Sequence, residues 1–233
     1  MSRIIWLGEQ ADPDWFPPLE DALREPPGLL AAGGDLTPAR LLAAYERGVF
    51  PWYSTQQPIL WWSPDPRMVL FPTEFNCSRS LRKTIRNGPY TTGVDRAFGA
   101  TIRGCAAPRR GGPETWLNDD MIASYEQLHG LGYAHSIETY DAGRLAGGLY
   151  GIQLGRVFFG ESMFSLKRDA SKVALARLVE ECRARDIELI DCQVASSHLA
   201  SLGAREVSRA QFVALLRRYA RRHPHGTWAL AVA

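Results

Sequence analysis

Val157-Phe158-Phe159-Gly160-Glu161-Ser162-Met163-Phe164 runs as an apolar strand with a glycine and a carboxylate set into its second half. Further along, Ile187-Glu188-Leu189-Ile190-Asp191-Cys192-Gln193-Val194 repeats the pattern with Asp191 and Gln193. Aliphatic and β-branched runs of this length are core strands. A carboxylate inside such a strand is costly unless it is paired or left at a wet crevice. Glu161 and Asp191 therefore either hold the fold together through buried hydrogen bonds or face a substrate. Glycine within a strand marks a bulge or a close backbone approach. A bulge at Gly160 would re-aim Glu161 and splay the sheet, opening a slot toward the strand that carries Asp191. A solvated, inert glutamate at a strand end is the plainer alternative.

The elements around these strands alternate. Strands are predicted over Tyr133–Tyr140, Arg144–Leu154, Arg156–Phe164 and Leu189–Val194. Asp141-Ala142-Gly143 and Gly155 supply the turns, so the first three form an antiparallel meander. Helices are predicted over Ser78–Asn87, Asp95–Ala106, Asn118–His129, Ala170–Arg185, Ser196–Leu202 and Ser208–Tyr219. The long helix before Leu189 suits a crossover to a parallel neighbour. Meander, helix, strand and short helix follow the order of an acetyltransferase-like α/β (α+β) fold. Its sheet would be mixed, mainly antiparallel and splayed, with flanking helices. Ahead of it, Thr37-Pro38, Ala39–Arg47 and Gly48 read as a helix with a capping hydroxyl, proline in the first turn and glycine at its exit. Leu41, Leu42 and Tyr45 form its apolar face. Phe50-Pro51-Trp52-Tyr53 reads as an aromatic loop, and Ile59–Trp62 and Met68–Phe71 as short strands around a proline turn. A boundary at that turn gives a small N-terminal domain, 1–65, and a larger domain, 66–233.

The chain has 233 residues, 45% of them hydrophobic and 22% charged, the composition of a globular protein. No apolar run reaches the ~20 residues needed to cross a bilayer, and the N-terminus does not read as a secretory signal. A cytoplasmic protein without a membrane partner is expected. Cys77, Cys105, Cys182 and Cys192 show no CxxC spacing and the five histidines no HExxH. Reduced thiols and no metal site follow. The net charge of +2 does not by itself point to nucleic acid.

Three constellations could do chemistry. In a regular strand Asp191 and Gln193 share a face, offering a carboxylate beside an amide that both donates and accepts. That pair suits orienting an amine and the carbonyl it attacks, and equally a buried bridge between loops. Arg79, Arg82, Lys83 and Arg86 lie on one helical stripe, with Leu81 and Ile85 toward the core. Neighbouring like charges destabilise a helix slightly, so a polyanion would explain the stripe, as would simple solvation. Arg109 and Arg110 add to it. Trp52 and Trp116 sit in loops, where tryptophan packs at an interface or stacks on a base. Trp61 and Trp62 are adjacent, so one should face in and the other out. The long helix opens with Ser165-Leu166-Lys167-Arg168-Asp169-Ala170-Ser171-Lys172, without the glycines that let backbone N–H groups reach a pyrophosphate. Coenzyme A is disfavoured as donor. A triad from Asp191, Ser196 or Ser197, and His198 lacks a nucleophile elbow.

Several stretches resemble one family. They are Gly33-Gly34-Asp35-Leu36, Gly48-Val49-Phe50-Pro51-Trp52, Trp61-Trp62-Ser63-Pro64-Asp65-Pro66-Arg67, Thr115-Trp116, Gly160–Ser165, Ala170-Ser171-Lys172, Leu189–Val194 and His198–Ala204. In that order, over about Glu25 to Phe212, the chain is similar to the bacterial leucyl/phenylalanyl-tRNA–protein transferases. The resemblance implies a small N-terminal domain on an acetyltransferase-like (GNAT-like) domain. It implies transfer of Leu, Phe or Met from aminoacyl-tRNA to proteins with N-terminal Arg or Lys, marking them for degradation, with no cofactor. Carried over, Asp191 accepts from or deprotonates the α-ammonium, Gln193 orients the reacting groups, and Glu161 holds the donor amino group or shapes the acceptor site. Trp52 and Trp116 would pack on the terminal adenosine. Leu149, Phe158, Leu175, Leu178 and Ile190 would line the aminoacyl pocket, and the basic stripe would touch tRNA phosphates. A monomer is expected. A CoA-dependent N-acetyltransferase and a non-catalytic RNA-binding module are the alternatives.

Overall fold

A computed structural model describes residues 4–8, 11–108, 117–224, 226 and 228. The first sheet among them comprises β1 (Ile5–Leu7), β2 (Leu29–Gly33), β3 (Phe50–Pro51) and β4 (Leu60–Trp62), in the order β1-β2-β4-β3. Between β2 and β3 runs α1 (Pro38–Arg47). The Thr37 side chain accepts from the Arg40 N–H and Gly48 closes the helix at φ 83°, as the punctuation predicts. Trp61 and Trp62 divide as strand alternation requires. Trp61 is fully buried, edge-on to Phe16, and its Nε1–H donates to the Gly33 carbonyl at 2.8 Å. Trp62 is half-exposed and its Nε1–H donates to the Trp52 carbonyl.

The second sheet starts immediately after the proline turn, with β5 (Arg67–Leu70). The chain continues through α2 (Arg79–Asn87), β6 (Tyr90–Val94), α3 (Phe98–Ala106), α4 (Asp119–Gly130), β7 (Ala134–Asp141), β8 (Arg144–Leu154) and β9 (Val157–Ser165). It ends with α5 (Ala170–Ala184), β10 (Leu189–Gln193), α6 (Ser197–Ser201), β11 (Arg205–Val207) and α7 (Arg209–Tyr219). The strand order is β11-β5-β10-β9-β8-β7-β6. β6 to β9 form an antiparallel ladder, and β10 joins β9 in parallel after the α5 crossover. β5 and β11 add antiparallel strands beyond β10. This is the mixed, mainly antiparallel sheet with flanking helices that the element order predicts.

Period-two burial builds a core on each face. Val69, Phe159 and Leu189 pack with α1, α3, α4 and α7, in a cluster that also takes in Leu30, Ala31 and Trp61 of the first sheet. Their neighbours Leu70, Phe158 and Ile190 pack with α5 and with Leu81 of α2. Among the described residues no helix is long and apolar enough to cross a membrane.

The structure departs from expectation where tertiary contacts override local pattern. The helix expected from Asp95 begins at Phe98, because the Asp95 carboxylate accepts from the Ser136 N–H and lies 2.9 Å from His135 Nδ1. Ile85 is 38% exposed rather than core-facing, since α2 lies on the surface and buries only Leu81. The aromatic loop contains the short strand β3, paired with β4. The tail docks as well: Trp228 stacks on His135 at 4.5 Å and its Nε1–H donates to Gln153.

The inward and outward tryptophans differ in what they hold. Trp61→Ala is expected to cost about 3–5 kcal/mol in urea unfolding. Trp62→Ala should cost less than half of that.

Candidate active site

The ladder between β8 and β9 skips one residue. Tyr150 pairs with Ser162 and Gly151 with Gly160, which leaves Glu161 as the extra residue of a bulge. The predicted bulge is present, and the close approach it creates falls on the partner strand. A Cβ at Gly151 would stand 2.2 Å from the Phe159 carbonyl oxygen, so only glycine fits opposite. β9 and β10 pair over three positions, ending at Asp191 with Phe159. Beyond that point β9 remains paired with β8 but no longer with β10, so the two central strands part there.

Glu161 is held in this opening by two donors. Its Oε2 accepts from the Tyr125 hydroxyl at 2.7 Å and its Oε1 from Gln193 Nε2 at 3.1 Å. Tyr45 and Tyr125, both buried, share a hydroxyl–hydroxyl contact of 2.7 Å. Burial pushes the Glu161 carboxyl up to about 7. The Tyr125 and Tyr45 hydroxyls oppose that rise, the nearby charge of Asp191 adds to it, and Arg67 opposes it. Glu161, Gln193, Val194, Phe50, Pro51 and Trp52 line a cleft of about 120 Å³. Pockets that engulf a drug-sized ligand hold ~300–1,000 Å³. This one is small on that scale, with room for a chain terminus or an ester carbonyl. Trp52, 42% exposed, stands at its rim, tilted against Trp62 with centroids 5.8 Å apart.

Asp191 is placed differently from the expectation. Cys192 is the extra residue of a second bulge, where Asp191 pairs with Val69 and Gln193 with Met68. Gln193 takes φ 56°, so the regular alternation of the strand ends between the two residues. Asp191 is fully buried and its carboxylate is occupied: Oδ1 accepts from Arg67 Nε at 2.8 Å and Oδ2 from the terminal Arg67 nitrogen Nη2 at 2.6 Å. It does not line the cleft, and in this arrangement it presents no oxygen to an incoming ammonium. Gln193 and Glu161 do.

The other expected residues are distributed as follows. Trp116, with Arg109 and Arg110, lies outside the described residues. Leu149, Phe158, Leu175, Leu178 and Ile190 come together under α5, each at most 3% exposed, as closed core rather than open pocket. Arg79, Arg82, Lys83 and Arg86 are all exposed along α2, and among the described residues none forms an ion pair. Among the described residues no group of three or more His, Cys, Asp or Glu is disposed to hold a metal ion.

Sequence reasoning missed Arg67, Tyr45 and Tyr125 as members of the site. Arg67 carried a signal: an arginine opening an apolar strand is the same anomaly as a carboxylate within one, and a buried aspartate requires a cation. Tyr45 was assignable to the α1 core face, but nothing local announces where its hydroxyl goes.

The model of the leucyl/phenylalanyl-tRNA protein transferase family matches residues 69–217, and that of its N-terminal domain residues 34–65. The leucyl/phenylalanyl-tRNA–protein transferase of Chromobacterium violaceum is 54% identical over 95% of this chain and 93% of its own. That of Pseudomonas entomophila is 56% identical over 97% and 99%. Among solved structures, a GCN5-related N-acetyltransferase from Kribbella flavida is similar at 11% identity and a TM-score of 0.40, over 73% of this chain and 61% of that one. The chain belongs to the leucyl/phenylalanyl-tRNA–protein transferase family.

Proposed function

We propose that this enzyme moves Leu, Phe or Met from aminoacyl-tRNA onto the α-amino group of proteins that begin with Arg or Lys, marking them for degradation. The observation that carries the reading is Glu161, a carboxylate pushed toward neutrality by burial and facing a small cleft beside an amide and a tryptophan. The chemistry requires a neutral amine to be presented to an ester and the two held in register. Glu161 takes a proton from the α-ammonium, and Gln193 orients the amine. The nitrogen attacks the ester carbonyl carbon, and the tetrahedral intermediate collapses by breaking the bond to the terminal ribose oxygen. That oxygen leaves with the proton Glu161 returns, and the nitrogen gives up its second proton through the freed Glu161 carboxylate to solvent, giving an amide, uncharged tRNA and one released proton. An ester is exchanged for an amide, so the reaction runs downhill without nucleotide hydrolysis.

Trp52 and Trp116 serve as stacking surfaces for the terminal adenosine. The apolar set Leu149, Phe158, Leu175, Leu178 and Ile190, closed in the free enzyme, receives the aminoacyl side chain by parting where β9 and β10 diverge, a single residue beyond Phe158 and Ile190. An apolar slot separates side chains one methylene apart by only ~1–3 kcal/mol, which accounts for acceptance of Leu, Phe and Met together. The unpaired cations of α2 contact the tRNA backbone. We read the protein as cytoplasmic, where charged tRNA is made, and as monomeric, since both walls of the cleft come from one chain.

Transfer of radiolabelled Leu from charged tRNA to an Arg-led peptide, without added nucleotide, tests the reading. Transfer to it and not to an Ala-led peptide is expected; folded enzyme that transfers to neither contradicts it. The base must be ionised to act, so kcat/KM should rise through pH about 7 and level off above it. Tyr125→Phe removes a donor that favours the Glu161 carboxylate, so the inflection should move upward; one that stays put assigns it to another group. Replacing Arg79, Arg82, Lys83 and Arg86 by Gln should flatten the dependence of log K for tRNA on log salt by roughly 0.9 for each phosphate no longer neutralised.

A further inference from the structure

The side chain that sets the cleft is one step removed from it. Arg67 is buried with its guanidinium between the rings of Phe50 and Phe212, at 4.8 and 4.6 Å from their centroids. Three of its nitrogens are committed, Nε and Nη2 to Asp191 and Nη1 to the Gly48 carbonyl at 3.1 Å. This two-point fork fixes the plane of the Asp191 carboxylate, which a single ammonium could not do. Asp191 Oδ1 then accepts a second hydrogen bond, from the backbone N–H of Gln193 at 3.0 Å. That bond sits where the backbone is strained. Gln193 has φ 56°, and the Val194 N–H donates to the Cys192 carbonyl at 2.8 Å, closing a three-residue γ-turn around it. From this turn the Gln193 amide reaches Glu161 Oε1.

We propose that Arg67 is a positioning residue for the transfer reaction. Through Asp191 it holds the γ-turn at Gln193, and so fixes the Gln193 amide against Glu161 in the cleft. The inference rests on the reading of the cleft as the transfer site, but it makes its own claim about Gln193. A buried ion pair retained only for stability could be exchanged for apolar side chains with little loss. A pair that clamps a carboxylate plane so that one oxygen supports a strained turn could not.

The test is Arg67→Lys, which keeps the charge and loses the fork, read by two measurements on the full-length protein. Amide hydrogen exchange reports the turn, and steady-state transfer with charged tRNA and an Arg-led peptide reports the chemistry. Exchange at Gln193 and Val194 should accelerate at least tenfold while that of Ile190 and Val69 is unchanged. The kcat should fall roughly 100-fold, the loss expected for a misplacement of about 1 Å, with the KM for aminoacyl-tRNA within about threefold of the parent. Should Arg67→Lys fail to fold, Asp191→Asn carries the same expectations, since it breaks the fork without changing side-chain shape. Unchanged exchange at Gln193, or unchanged kcat in a folded variant, overturns the proposal. A parent enzyme that transfers nothing while the exchange of Gln193 still responds would refute the functional reading and leave the support of Gln193 by Arg67 standing.

Discussion

One guanidinium, that of Arg67, joins five segments of the chain at a single buried point. It bonds the exit of α1 at Gly48 and the β10 carboxylate of Asp191 from its own place at the head of β5, and it lies between aromatic rings from β3 and α7. Charge taken out of water in this way must be fully partnered, and removal of either member would strand the other. The first sheet therefore meets the second in a fixed relation at the point where the cleft opens. Phe50, Pro51 and Trp52 form one wall, and Glu161, Gln193 and Val194 the other.

The two carboxylates of the central strands have different surroundings. Asp191 keeps a permanent cation and stays inside, whereas Glu161 has hydroxyl and amide donors and an open side. Burial and the neighbouring negative charge push Glu161 toward neutrality, and only neutral donors bond it directly. On the proposed reading Glu161 is the proton-transfer group and Asp191 the scaffold. The bulge at Glu161 follows directly on the last β9–β10 pair, Phe159 with Asp191, and the bulge at Cys192 begins at the same point on the other strand.

Much of this was legible from residue types and spacing. β8 has the bounds its alternation predicts, α1 has its predicted cap and exit, and Gly160 announced the bulge that frees Glu161. What escaped was set by contacts remote in sequence. β2, Leu29–Gly33, carries alanine and glycine, which have little strand preference, and is a strand because β1 and β4 pair with it. The bulge at Cys192 has no glycine to signal it, so Asp191 and Gln193 read as an ordinary alternating pair. The partner of Asp191 lies 124 positions away, and no local pattern links the two. The apolar set expected as an aminoacyl pocket does cluster under α5, but packing closes it, and no residue pattern announces that.

The most direct measurement is a crystal structure of the enzyme with a non-hydrolysable aminoacyl-adenosine and an Arg-led peptide bound together. The account predicts the peptide α-nitrogen within hydrogen-bond distance of Glu161 and beside the Gln193 amide, with Arg67 still clasping Asp191. A peptide nitrogen seated on Asp191 with Arg67 displaced, or lodged away from this cleft, would contradict it.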